Sequence, residues 1–150
     1  RLMQHGLIGR VINEYKERFG RGDFLVRNIV GMDPEAGYLA ISDLVKVGQT
    51  VQFHVRDAQT AEEDLQMMLQ SQSFENQPPL GAMLTTCNGR GQQLFDEPHQ
   101  DTQTILQALG PMPMAGFFAA GEFGQVGGVN FIHGFTASLA LFKDRSQAHA

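Results

Sequence analysis

Apolar residues in this chain come in short runs, and glycine or proline closes almost every run. That punctuation limits helix to a few places, because glycine and proline are the poorest helix formers. Short strands joined by tight turns fit the pattern. Of the 150 residues 17 are glycine and only 18% are charged, below the roughly one quarter usual for globular domains. With 42% hydrophobic residues the chain has enough apolar material for a core, so it reads as a folded domain and not as a disordered tail.

Read in order, the chain opens with a stretch whose Leu7, Ile8, Val11, Ile12, Tyr15 and Phe19 recur at helical spacing. This predicts a helix over residues 2–19, stopped by Gly20 and Gly22. Three strands follow between residues 24 and 56, separated by the turn chemistry of Asp33-Pro34-Glu35-Ala36-Gly37 and by Val47-Gly48. Thr60-Ala61-Glu62-Glu63 has the form of a capping box and starts a helix to about Leu69. A polar loop covers residues 71–79. A buried-type strand runs from Gly81 to Thr86, a helix from Asp101 to Leu109, and a strand from Met114 to Phe118. A glycine-rich segment, Gly121 to Gly128, precedes a long strand from Asn130 to Phe142. Interleaved helices with short-turn strand pairs predict an α+β fold: a mixed, largely antiparallel sheet with packed helices, a single domain plus an N-terminal connector helix. The expected division is a connector over 1–22, a domain over 23–142 and a polar tail over 143–150.

The formal net charge is −5, and no basic run is visible. Nucleic acid and anionic membrane surfaces are therefore not the expected partners. No apolar run approaches the roughly 20 residues of a bilayer span. A single cysteine, Cys87, cannot form an internal disulfide. The chain starts at Arg1 and shows no signal-peptide pattern, so it reads as processed or as a fragment of a longer protein, with the cytoplasm as the default location.

Three places concentrate chemistry. Cys87-Asn88-Gly89-Arg90-Gly91 follows a buried strand, where backbone amides are free to meet a ligand and Arg90 can clamp a carboxylate or phosphate. The same residues also suit a plain tight turn with a solvated arginine. Gly121-Glu122-Phe123-Gly124 opens the glycine-rich segment, which permits close backbone approach or simply joins two strands. It is not a dinucleotide fingerprint, because the spacing is wrong and no helix follows. His133 can act as a base or hydrogen-bond to structure. Cys87 with His133 and an orienting Glu122 would make a nucleophilic site, but no local signature supports one, and the chain is not read as an enzyme. The histidines are too scattered for a metal site, and no cofactor is implied.

Gly81 to Gly91, Gly110 to Gly124 and Asn130 to Leu139, in that order, resemble the C-terminal half of a FIST domain. The resemblance spans residues 23–142. It implies a bacterial intracellular sensor of small ligands, amino acids or their derivatives among them, linked to an output domain or an N-terminal FIST half. Cys87, Asn88, Arg90, Gly121, Glu122, Gly124 and His133 are the motif positions whose chemistry suits a pocket. Arg90 with Glu122 would fit a zwitterion. The other reading is a protein-interaction module without a small ligand.

Overall fold

Glycine placement and burial, not helical spacing, decide how the chain begins. The computed structural model describes residues 6–73 and 77–144, so the polar tail from residue 145 onward lies outside the described residues. Within it Gly6–Val11 is a strand, β1, and not a helix. The other strands are β2 (Phe24–Asp33), β3 (Tyr38–Ile41), β4 (Val51–Val55), β5 (Gly81–Cys87), β6 (Met114–Ala119), β7 (Glu122–Val126), β8 (Val129–His133) and β9 (Ala137–Phe142). The helices are α1 (Ala58–Ser73) and α2 (Gln100–Leu109). The fold is α+β, and its sheets are antiparallel except for the β5–β6 pair. The chain divides into two compact units, Arg1–Arg56 and Asp57–Ala150.

In the first unit the strand order is β3-β2-β1-β4. β1 is central, and Leu7, Ile8 and Val11 are all buried. A strand buried on both faces shows apolar residues at successive positions, which also satisfies helical spacing. Tyr15, assigned to the buried face of the expected helix, is 97% exposed. Gly9 is required by a close approach: a Cβ there would lie 2.8 Å from His54 Cδ2 and 3.0 Å from Phe24 Cβ. Asp43 accepts from Arg10 Nε at 2.9 Å and Arg27 Nε at 3.3 Å, joining β1 and β2 to the loop after β3. Burial pulls the Asp43 carboxyl upward, but the bonds from Arg10 and Leu44 and the two arginine charges outweigh it and hold its pKa low. The expected Asp33–Gly37 turn is present: Asp33 Oδ1 accepts from the Glu35 and Ala36 amides, and Gly37 has φ +72°.

In the second unit the sheet order is β6-β5-β9, with β7-β8 as a separate hairpin. Leu69 of α1 and Ile105 of α2 bury against Leu84 of β5, with Met114 and Leu139 packed around them. The cap of α1 is Asp57, whose Oδ1 accepts the Thr60 amide at 2.9 Å, and not Thr60 itself. Gly110 ends α2 with φ +88°, its N–H bonding Leu106 O at 3.0 Å. The expected loop over Gly121–Gly128 is a strand plus a two-residue turn. Only Gly127 and Gly128 turn, with φ +58° and +84°, the backbone a tight hairpin demands. The expected strand Asn130–Phe142 is two strands, broken where Phe135 adopts φ +62°. No helix among the described residues is long and apolar enough to cross a membrane.

His54 makes the first unit pH-sensitive. Its Nε2 is buried without a partner among the described residues, and its ring meets Phe24 edge-on at 4.9 Å. Burial pushes its pKa below the usual value. The unfolded chain then takes up the proton first, near pH 6.5. Stability from the neutral ring is full above that pH and is lost as pH falls further. Urea unfolding should show a lower midpoint at pH 5.5 than at pH 7.5, and a His54→Phe variant should flatten that difference. An unchanged difference in the variant would assign the effect elsewhere. The low-pKa carboxylates, such as Asp43, act only below about pH 4.

Candidate functional site

β5 and β6 lie parallel with α2 as their crossover, so the loop leaving β5 must turn back over the helix side of the sheet. Beneath that loop is a cavity of about 600 Å³. Its floor is Leu84 and Thr86 of β5 with Met114, Gly116 and Phe118 of β6. Its walls come from the loop after β5 and the first turn of α2, including Asn88, Gln92, Gln93, His99, Gln100 and Thr102. Gly116 permits the floor: a Cβ there would collide with the Leu84 carbonyl. Gly91 likewise lets the loop rest on Phe118, whose ring atoms would lie 3.2 and 3.3 Å from a Cβ at 91.

Arg90 is not a free clamp. Its Nε and Nη2 donate to Asp101 Oδ2 at 3.0 Å and Oδ1 at 2.7 Å, and both side chains are below 10% exposed. Nη2 also reaches Ala61 O at 3.4 Å, and the guanidinium sits 5.4 Å from the centre of the Phe95 ring. The planar fork is spent on a two-pronged pair inside the protein. The pair fixes the loop to α2 and shapes the cavity wall.

The seven residues singled out from sequence fall into two groups. Asn88 and Arg90 line the cavity. Gly121, Glu122, Gly124 and His133 belong to the β7–β8 hairpin and its approach, where Glu122 stands opposite His133. Cys87 is buried at the end of β5 and is absent from the cavity lining. Glu122 is 2% exposed; its Oε2 accepts from Thr136 Oγ1 at 2.9 Å, while Oε1 has no partner among the described residues. His133 Nε2 lies 3.1 Å from the Gly124 carbonyl, and its ring occupies the space a side chain at 124 would need. Arg90 and Glu122 therefore do not face one ligand across the cavity. Nothing in the sequence around Gln92, Gln93 and Gln100 distinguishes a cavity wall from a solvated loop.

A family model described as FIST C domain matches residues 1–125. An uncharacterized protein of Mycobacterium tuberculosis is 50% identical over 145 residues, which are 95% of this chain and 38% of that protein. One of Mycobacterium bovis is 47% identical over 145 residues, with the same coverage. The chain thus spans 38% of the length of these relatives. No solved structure matches it.

Removing one partner of a buried ion pair strands the other charge, which costs about 3–5 kcal/mol. Asp101→Ala should lower the stability of the chain by that amount in urea denaturation. Arg90→Met combined with Asp101→Leu should cost far less, because no charge is left behind. Equal losses in the single and double variants would show that packing, not charge, holds the loop.

Proposed function

This chain belongs to the FIST C domain family, and from that membership we propose that it is a sensory module that binds a small ligand and passes the change to a linked domain, without catalysis. The observation that carries the reading is the cavity under the Asn88–Thr102 loop. Its volume of about 600 Å³ lies within the range of small-molecule sites, and its lining joins apolar groups to several polar ones. The one cysteine, the natural nucleophile of an enzyme reading, is buried and outside the lining. A nucleophile needs access and an activated thiolate, so binding is favoured over catalysis.

In this reading Asn88 and the Arg90-pinned loop form the ligand wall. Cys87, Gly121, Glu122, Gly124 and His133 form the adjoining support at the end of β5. Cys87 N bonds Thr136 O at 2.9 Å, and Thr136 in turn holds Glu122, so the strand that floors the cavity is tied to the hairpin. Ligand occupancy that favours one loop position can thereby bias the hairpin. The module acts in the cytoplasm, and its partner is the remainder of a longer signalling polypeptide.

A second reading, a protein-interaction module, draws on the first unit. Register places Val51, Phe53 and Val55 on one face of β4, and they are 47%, 64% and 75% exposed. Exposed apolar area of this kind marks docking surfaces.

Thermal shift with amino acids, their derivatives and common metabolites separates the two. A ligand present at 100 times its Kd adds about 2.7 kcal/mol to the folded state and raises Tm. The shift should vanish in Asn88→Trp, which places a bulky ring at an exposed lining position. A shift that survives in this variant moves the site elsewhere, and silence across the panel favours the interaction reading.

A further inference from the structure

β6 is an edge strand. No strand is bonded to its outer side among the described residues. Its hydrogen-bond parity follows from its two ends. Pro113 O accepts from Ala82 N at 3.0 Å, and Ala119 O accepts from Asn88 N at 2.8 Å. In a strand, residues two apart turn their main-chain groups the same way. The odd positions from 113 to 119 therefore face β5, and Met114, Gly116 and Phe118 point their N–H and C=O groups outward.

This edge lacks the charges, prolines and bulges that commonly protect one. Met114–Ala119 holds no charged residue and no proline, and its pairing with β5 runs without a bulge. The same three outward-bonding residues line the cavity. A row of main-chain donors and acceptors without a strand partner among the described residues thus borders the cavity, and what satisfies such a row is another extended main chain.

The remaining polar lining agrees in chemistry. Arg90 and Asp101 neutralise each other. Asn88, Gln92, Gln93 and Gln100 contribute uncharged carboxamides, which both donate and accept, and Glu97 and His99 line the cavity beside them. A free amino acid would bring a carboxylate to a wall whose arginine is already paired and which also carries Glu97. A peptide group brings the donor and acceptor that the edge and the carboxamides lack.

From the edge and the lining together we infer that the ligand of this site is a short peptide segment free of carboxylates, held in extended form along β6 with one side chain lowered toward Leu84 and Thr86. The inference rests on the cavity being the sensory site proposed above.

The test is titration calorimetry of the chain with a pooled library of N-acetylated, C-amidated tripeptides bearing uncharged side chains, followed by the best binder alone. Methylating the central amide nitrogen of that binder should weaken it at least tenfold. Phe118→Pro removes one outward N–H without touching the β5–β6 ladder, because proline is tolerated where the N–H faces away from the sheet. It should weaken binding at least tenfold more than Phe118→Ala, which removes the ring but keeps the N–H. Peptide binding indifferent to both changes would overturn edge pairing while leaving the cavity as the site. Binding of free amino acids or metabolites, lost in Asn88→Trp, with no peptide bound, would overturn the peptide class and keep the sensory reading. No binding by any probe would overturn both. Self-association through β6, seen as a dimer by sedentimentation velocity and abolished by Phe118→Pro, would assign the edge to a second copy and overturn the inference.

Discussion

The buried pair between Arg90 and Asp101 is the constraint on which the second unit's cavity depends. The two lie eleven positions apart in sequence, and between them lies most of the loop that roofs the cavity. A buried ion pair adds little net stability, since desolvation offsets the attraction. Its planar two-point geometry is demanding, however, and it fixes where the loop can lie. The contact from Arg90 to Ala61 O adds α1 to the arrangement, and Phe95 covers the guanidinium. Position, more than stability, is what this pair contributes.

Local chemistry was legible in the sequence where it acts locally. The Asp33–Gly37 turn follows from side-chain-to-backbone bonds and the Gly110 stop from a positive φ, while the β5, α2 and β6 segments follow from apolar runs bounded by glycine and proline. The start of the chain was not legible, because Leu7, Ile8 and Val11 satisfy helical spacing and a two-faced buried strand equally well. Gly6 and Gly9 were the signal against helix. The glycines of residues 121–128 serve two ends that sequence does not separate. Gly127 and Gly128 turn the chain, whereas Gly124 leaves room for the His133 ring. The break at Phe135 had no signal at all, since a non-glycine residue adopts positive φ there.

The site was half legible for a related reason. Cys87 to Gly91 drew notice because unusual residues crowd together, and Asn88 and Arg90 do line the cavity. The partner of Arg90 is a helix residue that looks like any first-turn acid, whose usual role is to favour the helix dipole. Only the fold shows that Asp101 turns inward and takes up the arginine. Once it does, Arg90 is no longer available as a charged clamp.

The two groups of candidate residues meet at the end of β5. On one side the strand runs into the loop that Arg90 pins; on the other, the Cys87 amide bonds Thr136, whose hydroxyl donates to Glu122. Glu122 keeps one carboxylate oxygen buried without a partner among the described residues, an arrangement that disfavours its present surroundings and favours any movement that supplies a donor. A packed core resists gradual deformation, so a shift of the β5 end has few low-cost ways to spread. The Thr136–Glu122 contact is the nearest element already short of a hydrogen bond. In the sensory reading it is therefore the place where loop position and hairpin position become one equilibrium, and the differential energy lies in whether Glu122 Oε1 finds a donor in the second state.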